Sequence, residues 1–75
     1  MDDKKKLIAE TMSQLAEAVE GNDLALTLYS TELLLELTNA EFAMGFLLEL
    51  SRDSKGSVSG YVMNATKEVI ENAEL

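Results

Sequence analysis

The chain has no cysteine, histidine, proline or tryptophan among its 75 residues. Without Cys or His there is no disulfide framework and no ligand set for the common zinc, haem, iron–sulfur or copper sites, so neither a metal nor a cofactor is expected. The same absence leaves only carboxylates, lysines and tyrosines as general bases. With no proline and only four glycines, little interrupts a helix. The last shortage is positional. From Leu7 to Ser51 there is no Lys, Arg or His, although Glu10, Glu17, Glu20, Asp23, Glu32, Glu36, Glu41 and Glu49 all fall in that stretch. These acids have no base among them to pair with.

What is present is apolar and acidic. Residues 24–50 hold 17 apolar residues out of 27, and the net charge is −8. Nucleic-acid binding usually shows as a basic surface, because counterion release drives it, so direct contact with DNA or RNA is not expected. The acidity reads first as solubility for an apolar chain. A sharper reading is an acidic face that competes with nucleic acid for a basic partner.

A chain this short buries only about 60% of the surface that its unfolded form exposes, and small scaffolds lean on disulfides, metals or oligomerisation. With the first two excluded, self-association is the expected support. The opening Asp2-Asp3-Lys4-Lys5-Lys6 does not lead into a secretory signal, since Glu10 and Glu17 interrupt the apolar segment that would be needed. Glu32, Glu36, Glu41 and Glu49 break the most apolar window, so no membrane span is expected. Together with the lack of cysteine, this gives a cytoplasmic expectation.

Leu, Ala, Glu and Met dominate, so the expected fold is all-α, a small bundle of three to four helices forming one domain over residues 1–75. The first helix is expected from about Asp3 to Glu20, with Ile8, Met12, Leu15 and Val19 as its stripe, Ala9 and Ala16 widening it, and Gly21 as its stop. The second starts after Asn22 or Asp23 and runs to Leu37. Leu26, Tyr29, Leu33 and Leu37 form one stripe on it and Leu24, Leu28 and Leu35 another, with Glu32 and Glu36 between them. Thr38-Asn39-Ala40-Glu41 matches a capping box, so residues 23–52 are expected to break there into two helices, the alternative being one continuous helix over 23–52.

The third helix, about 39–52, is apolar over most of its girth and is expected to be central in the assembly. Ala43 and Leu47 form its middle, Phe42, Phe46 and Leu50 one edge, and Met44 and Leu48 the other. Gly45, beside two phenylalanines, suggests close helix–helix approach or a bend. A loop at 52–56, stopped by Gly56, precedes a fourth helix at about 58–73. Ser57 or Ser59 caps it, and its expected stripe is Val58, Val62, Ala65, Val69 and Ala73.

No constellation here supports catalysis. Glu32 and Glu36 stand at i, i+4, but the carboxylate bundles that bind di-iron also need Glu-x-x-His pairs. Asp53 lacks the following acids of a calcium loop. Gly56-Ser57-Val58-Ser59-Gly60 lacks the Gly-Lys-Ser/Thr ending of a phosphate loop. A base-reading fourth helix would have Lys67 alone against Glu68, Glu71 and Glu74. Lys4–Lys6 read as a solvated first turn. Tyr29 and Tyr61 suit either interface anchors or core edges, and Met12, Met44 and Met63 suit core filler.

The reading is therefore a non-enzymatic interaction module, regulatory, adaptor or assembly, that associates with itself and with a protein partner. Its expected homodimer interface is Leu24, Leu28, Leu35, Phe42, Phe46, Met44 and Leu48, because these cover more surface than two flanking helices hide. The alternative is a small acidic inhibitor of the phage or mobile-element kind, covering the nucleic-acid surface of a target enzyme with Glu10, Glu17 and Glu20.

Overall fold

The computed structural model describes residues 2–53 and 58–73, apart from the side chain of Asp2. Four helices account for nearly all of it: α1 (Asp2–Glu20), α2 (Leu24–Leu37), α3 (Ala40–Asp53) and α4 (Gly60–Ala73). There is no strand among the described residues. The all-α expectation holds, with four helices and a break inside residues 23–52. The expected loop lies, from 54 to 57, outside the described residues, and Gly56 with it.

The helix boundaries at residues 20–24, 37–40 and 59–60 have chemical causes. At the end of α1 the Asp23 N–H donates to the Ala18 carbonyl at 2.9 Å and the Asn22 N–H to the Val19 carbonyl at 3.1 Å. This is a Schellman turn, whose terminal residue takes a left-handed backbone. That residue is Asn22, with φ 55°, and not the expected Gly21, whose N–H still donates helically to the Glu17 carbonyl. Asn tolerates this region because its short side chain can hydrogen-bond locally. Asp23 then caps α2, accepting from the Leu26 N–H at 3.1 Å.

The break between α2 and α3 falls where the capping pattern placed it, but with different chemistry. The N–H and the hydroxyl of Thr38 both donate back to the Leu34 carbonyl, at 2.9 and 2.6 Å, so Thr38 closes α2. With that N–H already used, Glu41 has nothing to reach back to. Asn39 caps α3 instead, its Oδ1 accepting from the Phe42 N–H at 2.8 Å. Ser59 caps α4, accepting from the Tyr61 N–H at 3.2 Å.

The core gathers Leu15 and Val19 of α1, Leu34 of α2, Ala43 and Leu47 of α3, and Met63 and Ile70 of α4. Helix α2 is the centre, packing on α1, α4 and α3, whereas α3 touches α1 only slightly. Within a single copy the central helix is thus α2, while the expected central place of the third helix refers to the assembly. A single copy is already compact, with a Cα radius of gyration of 11.5 Å, close to the roughly 11.4 Å that general scaling gives for this length.

The face that α2 buries deepest is neither expected stripe. Thr27, Ser30, Thr31 and Leu34 are its fully buried residues, while Leu24, Leu26, Leu28, Leu33, Leu35 and Leu37 are only half-buried along its flanks. The neighbouring helices turn the same way. On α1 Leu15 and Val19 of the expected stripe are buried together with Thr11 and Ala18, while Ile8 and Met12 are half-buried and Ala9 is exposed. On α4 the buried set is Val62, Met63, Thr66 and Ile70, so that of the expected stripe Val62 is buried, Val58, Ala65 and Val69 are half-buried and Ala73 is exposed. The reason is local. All five threonines donate their hydroxyls to the carbonyl four residues earlier, at 2.6–2.8 Å. A hydroxyl satisfied by its own helix leaves a β-branched side chain shaped like valine. Ser30 differs: its Oγ is buried and makes no hydrogen bond.

Candidate interaction surface

Because α1 and α3 barely touch, a groove of about 630 Å³ opens between them. Phe42, Phe46 and Gly45 of α3 form its floor, and Met12 of α1 forms the facing wall. Asn39, Glu41 and Glu49 stand along the rim. Helical register explains the shape. Ala43 and Leu47 point into the core, so Phe42 and Phe46, four residues apart, are carried onto one flank. Phe46 still packs against the core, but Phe42 is left 43% exposed. Gly45 adds no wall: a methyl group there would meet nothing within 4 Å. It is therefore not a point of close helix–helix approach, and α3 runs through it as one helix.

A smaller furrow of about 130 Å³ lies further along, lined by Ala16, Val19 and Glu20 of α1 with Leu50, Asp53 and Val58. Met12 faces the middle of α3 and residues 16–20 face its end, so α1 and α3 run side by side in one direction.

The expected interface residues divide among three surfaces. Phe42 and Phe46 share the groove. Met44 and Leu48 lie on the opposite flank of α3, with Met44 packed on the core and Leu48 48% exposed. Leu24, Leu28 and Leu35 sit on α2, all half-buried by the chain itself, with Leu35 against the core. The grease that seemed to need a second chain is thus partly covered within one copy. What stays open is concentrated on α3. The expected interface lacks Met12, Asn39, Glu41, Gly45 and Glu49, which also line the groove, and Met12 joins them because α1 and α3 are neighbours, which nothing in the pattern says.

Glu10, Glu17 and Glu20 are exposed along one outward arc of α1. Glu32 and Glu36 border a shallow depression of about 400 Å³ with Tyr29 and Leu33, on the outer side of α2. Tyr29 and Tyr61 are both well exposed, at 60% and 69%, which makes them surface residues and not core edges. Met63 is buried and Met12 and Met44 pack on the core. Among the described residues no three acidic side chains gather where they could hold a metal ion. Nor is any helix among them long and apolar enough to cross a membrane. No protein family matches the chain, and neither does any curated protein or solved structure.

Proposed function

We propose that this chain is a non-enzymatic protein-interaction module that works as a homodimer in the cytoplasm, with its docking surface on α3. One observation carries the reading. Helix α3 turns Ala43 inward, at 1% exposed, and leaves Phe42 and Leu48 at 43% and 48%. Phe42 is already more than half covered, so it forgoes only part of the about 1.5–3 kcal/mol that full burial gives, and the apolar groove it shares with Phe46 suits a surface that another chain covers. The lack of His and Cys supports the non-enzymatic part, and the lack of Cys suits a reducing compartment. Sedimentation equilibrium at micromolar concentration tests the reading: a dimer mass is expected, and a sharp monomer mass overturns it.

The contiguous exposure of Glu10, Glu17 and Glu20 favours a second reading, an acidic inhibitor of a basic, nucleic-acid-binding protein. Binding of that kind weakens with salt and with neutralisation of these three residues. A complex indifferent to both removes it.

A further inference from the structure

We infer that the α1–α3 groove is a two-fold, self-complementary interface, in which Lys5 of one copy lies over the partner's Glu49 while Met12 and Phe42 of each copy meet near the axis. This rests on the homodimer reading and specifies where and how the copies join.

The groove's own chemistry selects its occupant. Its floor is apolar, and both charged residues that line it, Glu41 and Glu49, are acids. An occupant has to bring apolar surface and positive charge together. The chain itself has one run of bases, Lys4–Lys6, exposed at the start of α1. Lys5 stands seven residues before Met12, which is two helical turns. It therefore shares the face of α1 that walls the groove, about 10 Å nearer the N-terminus. Toward the C-terminus Lys6 has Glu10 at i+4 on its own helix, whereas Lys5 has the apolar Ile8 and Ala9 at i+3 and i+4, with Asp2 at i−3.

Direction completes the argument. Since α1 and α3 run the same way, Lys5 marks one end of the face and Glu49 the other, with Met12 and Phe42 between. Rotating a copy by half a turn about an axis through that apolar middle exchanges the ends. Each positive end then meets a negative one, and apolar side chains meet apolar ones, which is the requirement of an isologous contact. Glu41, exposed and nearer the axis, has no such opposite base and contributes no attraction.

The test is sedimentation equilibrium of the full chain and its variants, with circular dichroism confirming helicity. Phe42→Ser is expected to raise the dissociation constant roughly tenfold or more, since it empties the interface centre. Lys5→Glu and Glu49→Lys are each expected to weaken the dimer about threefold, and combining them to restore it, as a direct charge pair requires. Both positions are exposed, so these variants fold even if Phe42→Ser does not. Glu41→Gln is expected not to weaken the dimer. A dimer unmoved by Phe42→Ser and by both charge variants overturns this interface and leaves the homodimer standing. Two charge variants whose losses merely add overturn the Lys5–Glu49 pairing. A wild-type chain that stays monomeric defeats both the interface and the reading beneath it, whether or not a basic amphipathic peptide then enters the groove.

Discussion

Asn22 Oδ1 accepts from the Ser59 N–H at 2.6 Å, joining the α1–α2 turn to the start of α4 across 37 residues of chain. The same Asn22 holds the left-handed backbone that ends α1. One residue therefore performs two separable tasks. Asn22→Gly keeps the backbone conformation and loses only an exposed hydrogen bond, at a cost of at most about 1 kcal/mol. Asn22→Ala loses the bond and also forces a Cβ into the left-handed region, for a total of about 2–3 kcal/mol. Urea unfolding of the two variants separates the terms. Equal losses would mean that the conformation contributes nothing.

The α2–α3 junction gives a prediction that distinguishes two capping schemes. With Asn39 as the cap, Asn39→Ala costs about 1 kcal/mol. Glu41→Ala costs only a few tenths, the share of a carboxylate in the first turn of a helix. A capping box headed by Thr38 would make Glu41 matter as much as Asn39. Thermal or urea midpoints of the two variants decide between them.

Inside the bundle, Ser30 and Thr31 are adjacent, fully buried and unlike. The Thr31 hydroxyl donates to the Thr27 carbonyl at 2.8 Å, while that of Ser30 has no partner. Ser30→Ala removes an unsatisfied buried group and improves helix propensity, so stability is expected to rise by about 1 kcal/mol. For a domain of this size that raises the melting temperature by roughly 4–8 °C. Thr31→Val keeps the shape and stays within about 1 kcal/mol of the parent. A loss on Ser30→Ala would reveal a hydrogen bond that the hydroxyl makes in solution.

The hydroxyl residues also show where the pattern could be read and where it could not. Helix count, the break near residue 38 and the inward middle of α3 at Ala43 and Leu47 follow from propensity, capping residues and apolar spacing, all local quantities. The facing of α1, α2 and α4 does not, because Thr11, Thr27, Thr31 and Thr66 count as polar in any stripe. Their polarity is cancelled by a bond to their own helix, so they bury like valine and rotate each face toward themselves. On α2 this moves the deepest contact from the leucine stripes to the arc between them. The groove was illegible for another reason. Phe42 and Phe46 can be paired from their spacing, but Met12 joins them only because packing around α2 leaves α1 and α3 on either side of one groove, which is a tertiary outcome.

Gly45 offers the last discrimination. It lies within α3, where glycine costs roughly 1 kcal/mol relative to alanine, and a methyl group there meets open space in a single copy. Below the concentration at which the chain self-associates, Gly45→Ala is therefore expected to stabilise it by about that amount, measured by urea unfolding monitored at helical ellipticity. Above that concentration the added methyl stands on the floor that a second copy is proposed to cover, beside Phe42 and Phe46. The dimer is then expected to weaken even as the monomer gains. Opposite signs for folding and association would show that α3 gives up intrinsic helix stability to keep its groove open. A gain in folding with association unchanged would show that the floor of the groove faces only water.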